Sequence, residues 1–142
     1  MANTNFQSRS PSAIELIAAP FLAIGEDEAA VAVAKLALKQ RIAFYASTRT
    51  YHPVFAVHGW SELGMRLHAL SREGRWDEMT KLIPDEMAAA FATIAPLDEL
   101  GDALREKWGG LVTTLNLPTD LPLGTEEERR CVRRLVETLQ RA

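Results

Sequence analysis

The densest group of side chains that could bind a ligand or take part in a reaction lies between residues 40 and 60, in QRIAFYASTRTYHPVFAVHGW. This segment combines aromatic rings with two arginines and two histidines, a composition typical of the wall of a binding site. Arg49, Tyr51 and His52 fall in the loop predicted after a long helix, and binding residues concentrate in such loops. These three residues are the predicted substrate or cofactor contacts, and the sequence assigns no catalytic residue.

Alternatives remain open for the same segment. Because the loop follows a helix, it can instead lie on the face of the domain that determines stability rather than function. Phe44 and Tyr45 stand on the predicted helix, where large aromatic side chains are usually packed. His58-Gly59-Trp60 favours a turn with a packed indole over a catalytic element.

Neither metal binding nor a nucleophilic cysteine is indicated. His52, His58 and His68 have neither the i, i+4 spacing on a helix nor the cysteine partner that zinc sites use, so no metal ligands are predicted. Cys131 precedes Val132 on an apolar helix face and is predicted to be a small buried hydrophobe. The basic run RRCVRR follows three glutamates, a pattern that favours a solvated helix face.

Composition bounds the class of protein. The chain has 142 residues, 47% of them apolar and 25% charged, which predicts a soluble globular domain. The net charge of −3 gives no electrostatic reason to expect nucleic acid as a partner. A single cysteine fits a reducing compartment, and no apolar run approaches the roughly 20 residues of a membrane span. We therefore expect a cytoplasmic chain that binds no membrane.

The N-terminal third predicts a buried strand followed by a long helix. Residues 1–12 are expected to be a disordered leader, and residues 13–142 a single domain. The apolar run AIELIAAPFLAIG (13–25) predicts a strand around Ile14 to Ala19 or around Phe21 to Ile24, since Pro20 is unfavourable inside a central strand. Acidic residues after Gly25 then begin the helix.

Short helices and two further strands are predicted after it. Phe91 to Ala95 and residues 111–118 are the predicted strands, and Pro84 and Pro96 are predicted to open helices. A capping box of Thr125 and Glu128 starts the last helix. The apolar stripe of the preceding helix is Leu97, Leu100, Leu104 and Trp108.

A long part of the sequence resembles the luciferase-like monooxygenase superfamily, in particular its members that use the deazaflavin coenzyme F420. The resemblance rests on R-x-I-A-F-Y-x-S-T-x-x-Y-x-P-V followed by H-G-W, and on D-E-M before a helix of small residues. It continues through F-A-x-I and D-E-L-x-x-x-L-R to G-G-L-V, and so runs from about Pro20 to about Val112.

The resemblance implies an α/β fold that is predominantly helical. It corresponds to the C-terminal fragment of a TIM (β/α)₈ barrel, with about three βα units plus a helical insertion, because a complete barrel needs roughly 250 residues. The implied chemistry is oxygenation of a donor with O2, or hydride transfer, on reduced FMN or coenzyme F420. Most contacts to the cofactor ring come from earlier strands, so the isolated chain is expected to bind no cofactor.

Two functions follow from the resemblance. The chain is either the C-terminal part of such an oxidoreductase, completed by a complementing barrel half, or a non-catalytic relic or helical interaction module that self-associates. Exposed strand edges favour association in both. Two departures from the family pattern argue against a phosphate or substrate contact near these positions: Ala95 stands where many members have glycine, and Thr113-Thr114 stand where relatives often have an Asp-Arg pair.

Overall fold

The computed structural model describes residues 15–118 and 121–140. The predicted leader at residues 1–12, and Ile14 of the predicted first strand, lie outside the described residues. The described part is mostly helical, with short parallel strands. The elements are, in chain order, β1 (Ile17–Ala18), β2 (Phe21–Gly25), α1 (Glu28–Ser47), a 3-10 turn (Arg49–Tyr51), α2 (His52–Val57), α3 (Ser61–Arg72), α4 (Trp76–Lys81), α5 (Asp85–Phe91), β3 (Ala92–Pro96), α6 (Leu100–Trp108), β4 (Thr114–Leu115) and α7 (Glu126–Gln140).

Both predicted positions of the first strand are occupied. β1 and β2 are separated by Ala19 and Pro20, because proline has no N–H to donate to a ladder. The long helix begins where its sequence predicts: the Asp27 carboxylate caps α1 by accepting a hydrogen bond from the Ala30 amide at 2.8 Å. Among the described helices, α1 included, none is both long and apolar enough to cross a membrane.

The strands form two separate two-stranded parallel sheets. β2 pairs with β3 from Phe21 opposite Ala92 to Gly25 opposite Pro96, whereas β1 pairs with β4. The strand predicted at residues 111–118 is therefore wrong in length, since only Thr114–Leu115 pair. The residues before β4 turn back onto the end of α6: the amides of Leu111 and Val112 both donate to the Trp108 carbonyl.

The β2–β3 sheet is covered on both faces. Phe21 and Ala23 face the first core cluster, whereas Leu22 and Ile24 face the second. The first cluster is built mainly from α1 to α5, with Ile42, Leu67, Met79, Ile83 and Met87 nearly inaccessible to solvent. The second is formed by Leu97, which precedes α6, by Leu100 and Leu104 of α6, and by Cys131 and Leu135 of α7.

This arrangement keeps three βα units in chain order but differs from the expected barrel segment. In a (β/α)₈ barrel all helices lie outside, and the inner faces of the strands pack on one another. Here α6 and α7 cover the face of the sheet that lies opposite α1, as Leu22 and Ile24 show. A strand that is apolar on both faces needs such cover.

The predicted short helices are present, with small shifts at two prolines. Pro84 is the N-cap of α5 rather than its first helical residue, and Pro96 ends β3 while α6 begins only at Leu100. The apolar stripe predicted on α6 is confirmed by Leu100 and Leu104, which are fully buried. On α3, Leu67 and Leu70 are buried and Leu63 packs beside them.

The capping box at the start of α7 is also confirmed. The Thr125 amide donates to Glu128 Oε2 at 2.6 Å, and the Glu128 amide donates to Thr125 Oγ1 at 3.1 Å. α7 then packs closely on α6 at Gly101, where a Cβ would lie 3.2 Å from the Thr138 Cβ. The absence of a side chain at Gly101 therefore sets the spacing of this helix pair.

Lysines fix both ends of α5. At its start, Asp85 accepts from Lys35 Nζ at 3.0 Å and also pairs with Lys39, which joins α5 to α1. Hydrogen bonds from Lys39 and Lys35 lower the pKa of Asp85 to about 2. At its end, Lys107 of α6 donates to the carbonyls of Ala89, Ala90 and Ala92 at 2.5, 3.2 and 2.7 Å. Cations at a helix C-terminus satisfy its free carbonyls.

Replacement of Asp85 by asparagine should change how stability depends on pH. The folded-state pKa of about 2 lies below the ordinary value, so ionised Asp85 stabilises the folded state above about pH 4. This contribution is lost as the pH falls from about 4 towards 2. Denaturant unfolding at several pH values should show a shallower acid dependence for Asp85→Asn, while Glu86→Gln keeps the wild-type slope. Equal slopes for all three proteins would contradict the pairing.

Replacement of Lys107 by methionine should leave three carbonyls without their cationic donor. Because hydrogen bonds to charged groups contribute about 1.5–3 kcal/mol, we expect a loss of that size in the free energy of unfolding. Lys81→Met is the control, since this lysine is exposed on α4. A similar, small effect of both substitutions in urea unfolding would show that Lys107 does not hold α5.

Candidate functional site

Two depressions lie at opposite ends of the β2–β3 sheet. β2 ends at Gly25 and β3 at Pro96, and the Leu97 amide donates to the Gly25 carbonyl at 2.9 Å where the strands finish. In α/β proteins ligands bind outside the carboxyl ends of parallel strands. Contacts to a cofactor would therefore be expected at the carboxyl end of this sheet.

The cavity at this end, here called the carboxyl-end cleft, has a volume of about 430 Å³. Its walls are acidic, and no lysine or arginine lines it. The lining residues are Glu26, Leu97, Asp98, Thr125, Glu127, Glu128 and Cys131. Of the carboxylates, Glu127 pairs with Arg130 at 3.0 Å.

A phosphate-bearing cofactor does not fit the carboxyl-end cleft. FMN and coenzyme F420 both carry phosphate oxygens, which proteins bind with arginine, lysine or free backbone N–H groups. Here Glu26 and Asp98 follow the two strand ends directly, and the α7 N-terminus is already capped by Thr125 and Glu128. Because like charges would oppose a phosphate, these residues offer no binding site for the phosphate group of either cofactor.

Gly25 shapes the same end of the sheet. A Cβ at this position would lie 2.5 Å from the Val31 nitrogen and 2.6 Å from Ala30, distances that real side chains essentially never reach. The strand can therefore pass this close to the first turn of α1 only because residue 25 has no side chain.

Cys131 and the basic run of α7 have structural roles. Cys131 is buried in the second cluster, as predicted, with its Sγ 4.0 Å from Glu127 Oε1. Arg129 and Arg133 both pair with Glu126, at 3.1 and 3.0 Å, on an exposed face of α7. The prediction of a solvated helix face is confirmed. Hydrogen bonds from Arg133 and, to a smaller extent, from Arg129 lower the pKa of Glu126. Within residues 15–118 and 121–140, no three His, Cys, Asp or Glu side chains are grouped as metal ligands.

The second depression is an apolar groove at the amino end of the sheet. Phe21 is the first residue of β2, and Phe91 directly precedes β3. The groove has a volume of about 270 Å³, and we call it the aromatic groove. Its lining residues are Phe21, Ile42, Tyr45, Tyr51, Val54, Phe55 and Phe91.

Ring contacts order the aromatic groove. Tyr45 touches Phe21 with ring centroids 5.7 Å apart, and Tyr51 edge-to-face at 5.2 Å. Phe55 and Phe91 meet edge-to-face at 5.1 Å at its base. Such pairs stabilise by about 0.5–1.5 kcal/mol each beyond their buried area. The groove is therefore preformed from five different elements: β2, α1, the 3-10 turn, α2 and α5.

The three predicted contact residues point to different surroundings. Tyr51 lines the aromatic groove and is 42% exposed. His52 begins α2 and lies against α3, where a Cβ on Gly64 would come within 3.4 Å of its ring. Its buried Nε2 has no hydrogen-bond partner among the described residues. Arg49 is exposed in the 3-10 turn. Of the three, Tyr51 thus lines the aromatic groove, at the end of the sheet opposite to the carboxyl-end cleft.

The remaining residues of the 40–60 segment are mostly packed. His58 stacks on Trp60 at 4.9 Å around Gly59, whose φ is +78°, so the predicted turn with a packed indole is confirmed. Tyr45 is half-buried, as expected for packing. Phe44, however, is 56% exposed, so it does not belong to the core of this chain, and packing of this residue between α1 and other parts of a barrel stays a prediction.

The two departures from the family pattern are structural. Ala95 is buried in β3. Thr113 Oγ1 accepts from the Leu16 amide at 2.9 Å, and Thr114 Oγ1 donates to Glu15 at 2.9 Å. The threonine pair thus attaches β4 to the start of β1.

Two wall residues of the aromatic groove lie outside the segment that the sequence marked. Phe21 and Phe91 are separated from it along the chain, and parallel pairing of β2 with β3 brings them together. The signal that could have found them is their common position at the amino ends of two predicted strands.

Comparison with known proteins identifies relatives. The profile of the luciferase-like monooxygenase family matches residues 5–114. Uncharacterized proteins of Mycobacterium tuberculosis and Mycobacterium bovis are 37% identical to this chain over 133 residues, which is 94% of this chain. The chain spans only 38% of the length of these relatives. No solved structure matches.

Replacement of Gly25 by alanine should destabilise the sheet end. The added methyl group forces β2 away from α1, and overpacking of this kind costs about 1–3 kcal/mol. Gly64→Ala is the matched control: its Cβ meets His52 only at 3.4 Å, and alanine favours helix by about 1 kcal/mol over glycine. We expect the two substitutions to differ in sign in thermal unfolding. Equal melting temperatures would refute the close contact at Gly25.

Proposed function

The chain belongs to the luciferase-like monooxygenase family, and on this premise we propose that it is the C-terminal part of an F420- or flavin-dependent oxidoreductase. In this proposal the chain by itself turns over no substrate. The bound cofactor of the complete enzyme would supply hydride transfer or activation of O2. The compartment we propose is the cytoplasm, in agreement with a single cysteine.

The placement of exposed apolar side chains carries the proposal. On α1, Val33, Leu36 and Phe44 are 71%, 56% and 56% exposed, and we call them the α1 stripe. In the third βα unit, Val136 of α7 and the preceding Leu123 are exposed as well, whereas β3 and α6 expose no large apolar side chain. The inserted helices expose Val57, Met65 and Trp76 as well, and Leu111 is exposed just after α6. The support for cover by further βα units therefore comes from the α1 stripe, which lies on a helix of the first unit.

The composition of α1 supports the same conclusion. A helix that is apolar on all sides is normally buried on all sides. Leu38 and Ile42 face the first cluster, while the α1 stripe faces outward. Fully burying one such side chain stabilises by about 1.5–3 kcal/mol. Removal of the stripe from water would therefore drive assembly with the rest of the barrel.

The acidic carboxyl-end cleft argues against a role of this chain in binding the cofactor phosphate. Because its lining carries carboxylates and no cation, the cofactor phosphate would be held by residues of other βα units. The role left to this chain is to complete the barrel wall beside the cofactor. The proposal therefore assigns no proton transfer or cofactor contact to a named residue.

One observation favours the alternative of a non-catalytic, self-associating module. Both faces of the β2–β3 sheet are covered within the chain itself, so a stable unit can form without a barrel. In this alternative a second copy covers the α1 stripe. The two functions differ in the partner that the stripe requires.

Complementation tests the proposal directly. The chain would be coexpressed with the part of its mycobacterial relative that lies outside the matched segment, and the copurified complex would be titrated with FMN and with F420. We expect cofactor binding by the complex and none by the chain alone at micromolar concentration. Leu36→Glu should abolish copurification, because it places a charge in the covered stripe. Met65→Glu, on the exposed face of α3, is the control.

The outcomes separate the two functions. Copurification lost with Leu36→Glu and kept with Met65→Glu supports the barrel proposal. A homodimer of the lone chain by mass measurement, dissociated by Leu36→Glu and indifferent to the added segment, supports the self-associating module. Micromolar cofactor binding by the lone chain would refute the proposal.

A further inference from the structure

We propose that the aromatic groove binds a small planar aromatic anion, such as an aryl carboxylate. The groove lies at the amino end of the sheet, away from the carboxyl-end cleft, so this inference does not depend on the proposed oxidoreductase. Its walls are almost wholly apolar, with the tyrosine rings of Tyr45 and Tyr51 at its sides. Aromatic walls of this kind accept flat rings by stacking and edge contacts.

The size of the groove limits the ligand. Its volume of about 270 Å³ lies just below the range of roughly 300–1,000 Å³ typical of small-molecule sites. A one- or two-ring compound fits this volume. Tyr51 and Val54 are 42% and 49% exposed on its open side, so a ligand could enter without unfolding of the site.

The charge of the surrounding chain selects an anion. Between Glu28 and Glu62 there is no acidic residue, although the protein as a whole has a net charge of −3. The cations in this stretch are Lys35, Lys39, Arg41 and Arg49. Lys35 and Lys39 are used by Asp85. Arg41 and Arg49 form no ion pair with any described residue.

Arg41 is positioned beside the groove. Its guanidinium carbon lies 5.4 Å from the centroid of the Phe21 ring, and that ring is part of the groove wall. Stacking on an aromatic ring orients a guanidinium while its N–H groups stay free to bind a carboxylate. A ligand could thus place its apolar ring in the groove and its anionic group at Arg41 at the same time.

Paired probes test both halves of the proposal. 2-Naphthoate and the neutral 2-naphthylmethanol would be titrated into the 142-residue chain with ligand-observed NMR. We expect saturable one-site binding of 2-naphthoate, with a dissociation constant on the order of 1 mM or tighter for about 13 non-hydrogen atoms. The alcohol should bind several-fold more weakly.

Three variants identify the site. Arg41→Gln should weaken 2-naphthoate about threefold to tenfold and leave the alcohol unchanged, because only the anion uses the guanidinium. Tyr51→Ala should weaken both probes. Phe44→Ala is the matched control, since Phe44 is an exposed aromatic residue on α1 that does not line the groove. Circular dichroism of each variant verifies that it is folded.

Several results would overturn the proposal. Binding that does not saturate, or equal weakening by Phe44→Ala and Tyr51→Ala, would show general adsorption to exposed aromatic surface. If Arg41→Gln weakened the binding of both probes equally, Arg41 would not recognise the carboxylate, and the proposal that the groove prefers an anion would be wrong. Should Tyr51→Ala be misfolded, Val54→Asp replaces it, because a carboxylate in the groove should exclude 2-naphthoate more strongly than the alcohol.

Discussion

The strand Phe21–Gly25 is apolar on both faces, and the rest of the structure depends on covering both of them. A strand of this kind is stable only between two layers. On one side α1 and the inserted helices supply Ile42, Met87 and their neighbours, and on the other α6 and α7 supply Leu104 and Leu135. Parallel pairing with β3 then fixes the two ends of the sheet, and with them the acidic cleft and the aromatic groove.

The two ends of this sheet differ in charge because of the helices that meet there. Helices that follow parallel strands begin at the carboxyl end, and acidic residues are favoured in a first helical turn. Glu26, Asp98 and Glu127 therefore collect in one cleft for reasons of helix stability. The opposite end receives the last turn of α1 and the start of α2, a stretch that is free of acidic residues. The end of the sheet that lacks acidic residues therefore lies opposite the acidic cleft.

Local patterns could be predicted from the sequence wherever the cause was local. The acidic start of α1, the capping box of Thr125 and Glu128, the turn at Gly59 and the stripe of α6 depend on residues within one or two helical turns, and all are present in the structure. The family was also recognised, because many residues in order carried the resemblance. The wrong length predicted for the strand at residues 111–118 has its cause in contacts with distant parts of the chain. Thr113 and Thr114 bond to residues almost a hundred positions earlier, and nothing near residues 111–118 shows that only two of them pair.

The candidate sites were only partly accessible to the same reasoning. Arg49, Tyr51 and His52 are adjacent in sequence, but the change from a 3-10 turn to α2 directs them to different surroundings. The aromatic groove needs Phe21 and Phe91, which are joined through the sheet. A pattern along one segment cannot show such a wall until the pairing of strands is known.

Lys107 belongs to α6 and its second cluster, but it donates its hydrogen bonds to the last carbonyls of α5 and to β3. The side chain is therefore a bridge between the two layers on either side of the sheet. Loss of α6 from the sheet would free the end of α5 at the same moment, and fraying of α5 would leave the partly buried ammonium without acceptors. This contact adds to the coupling that strand β2, shared by both clusters, already provides. The amide protons of α5 and α6 are therefore expected to exchange together rather than layer by layer.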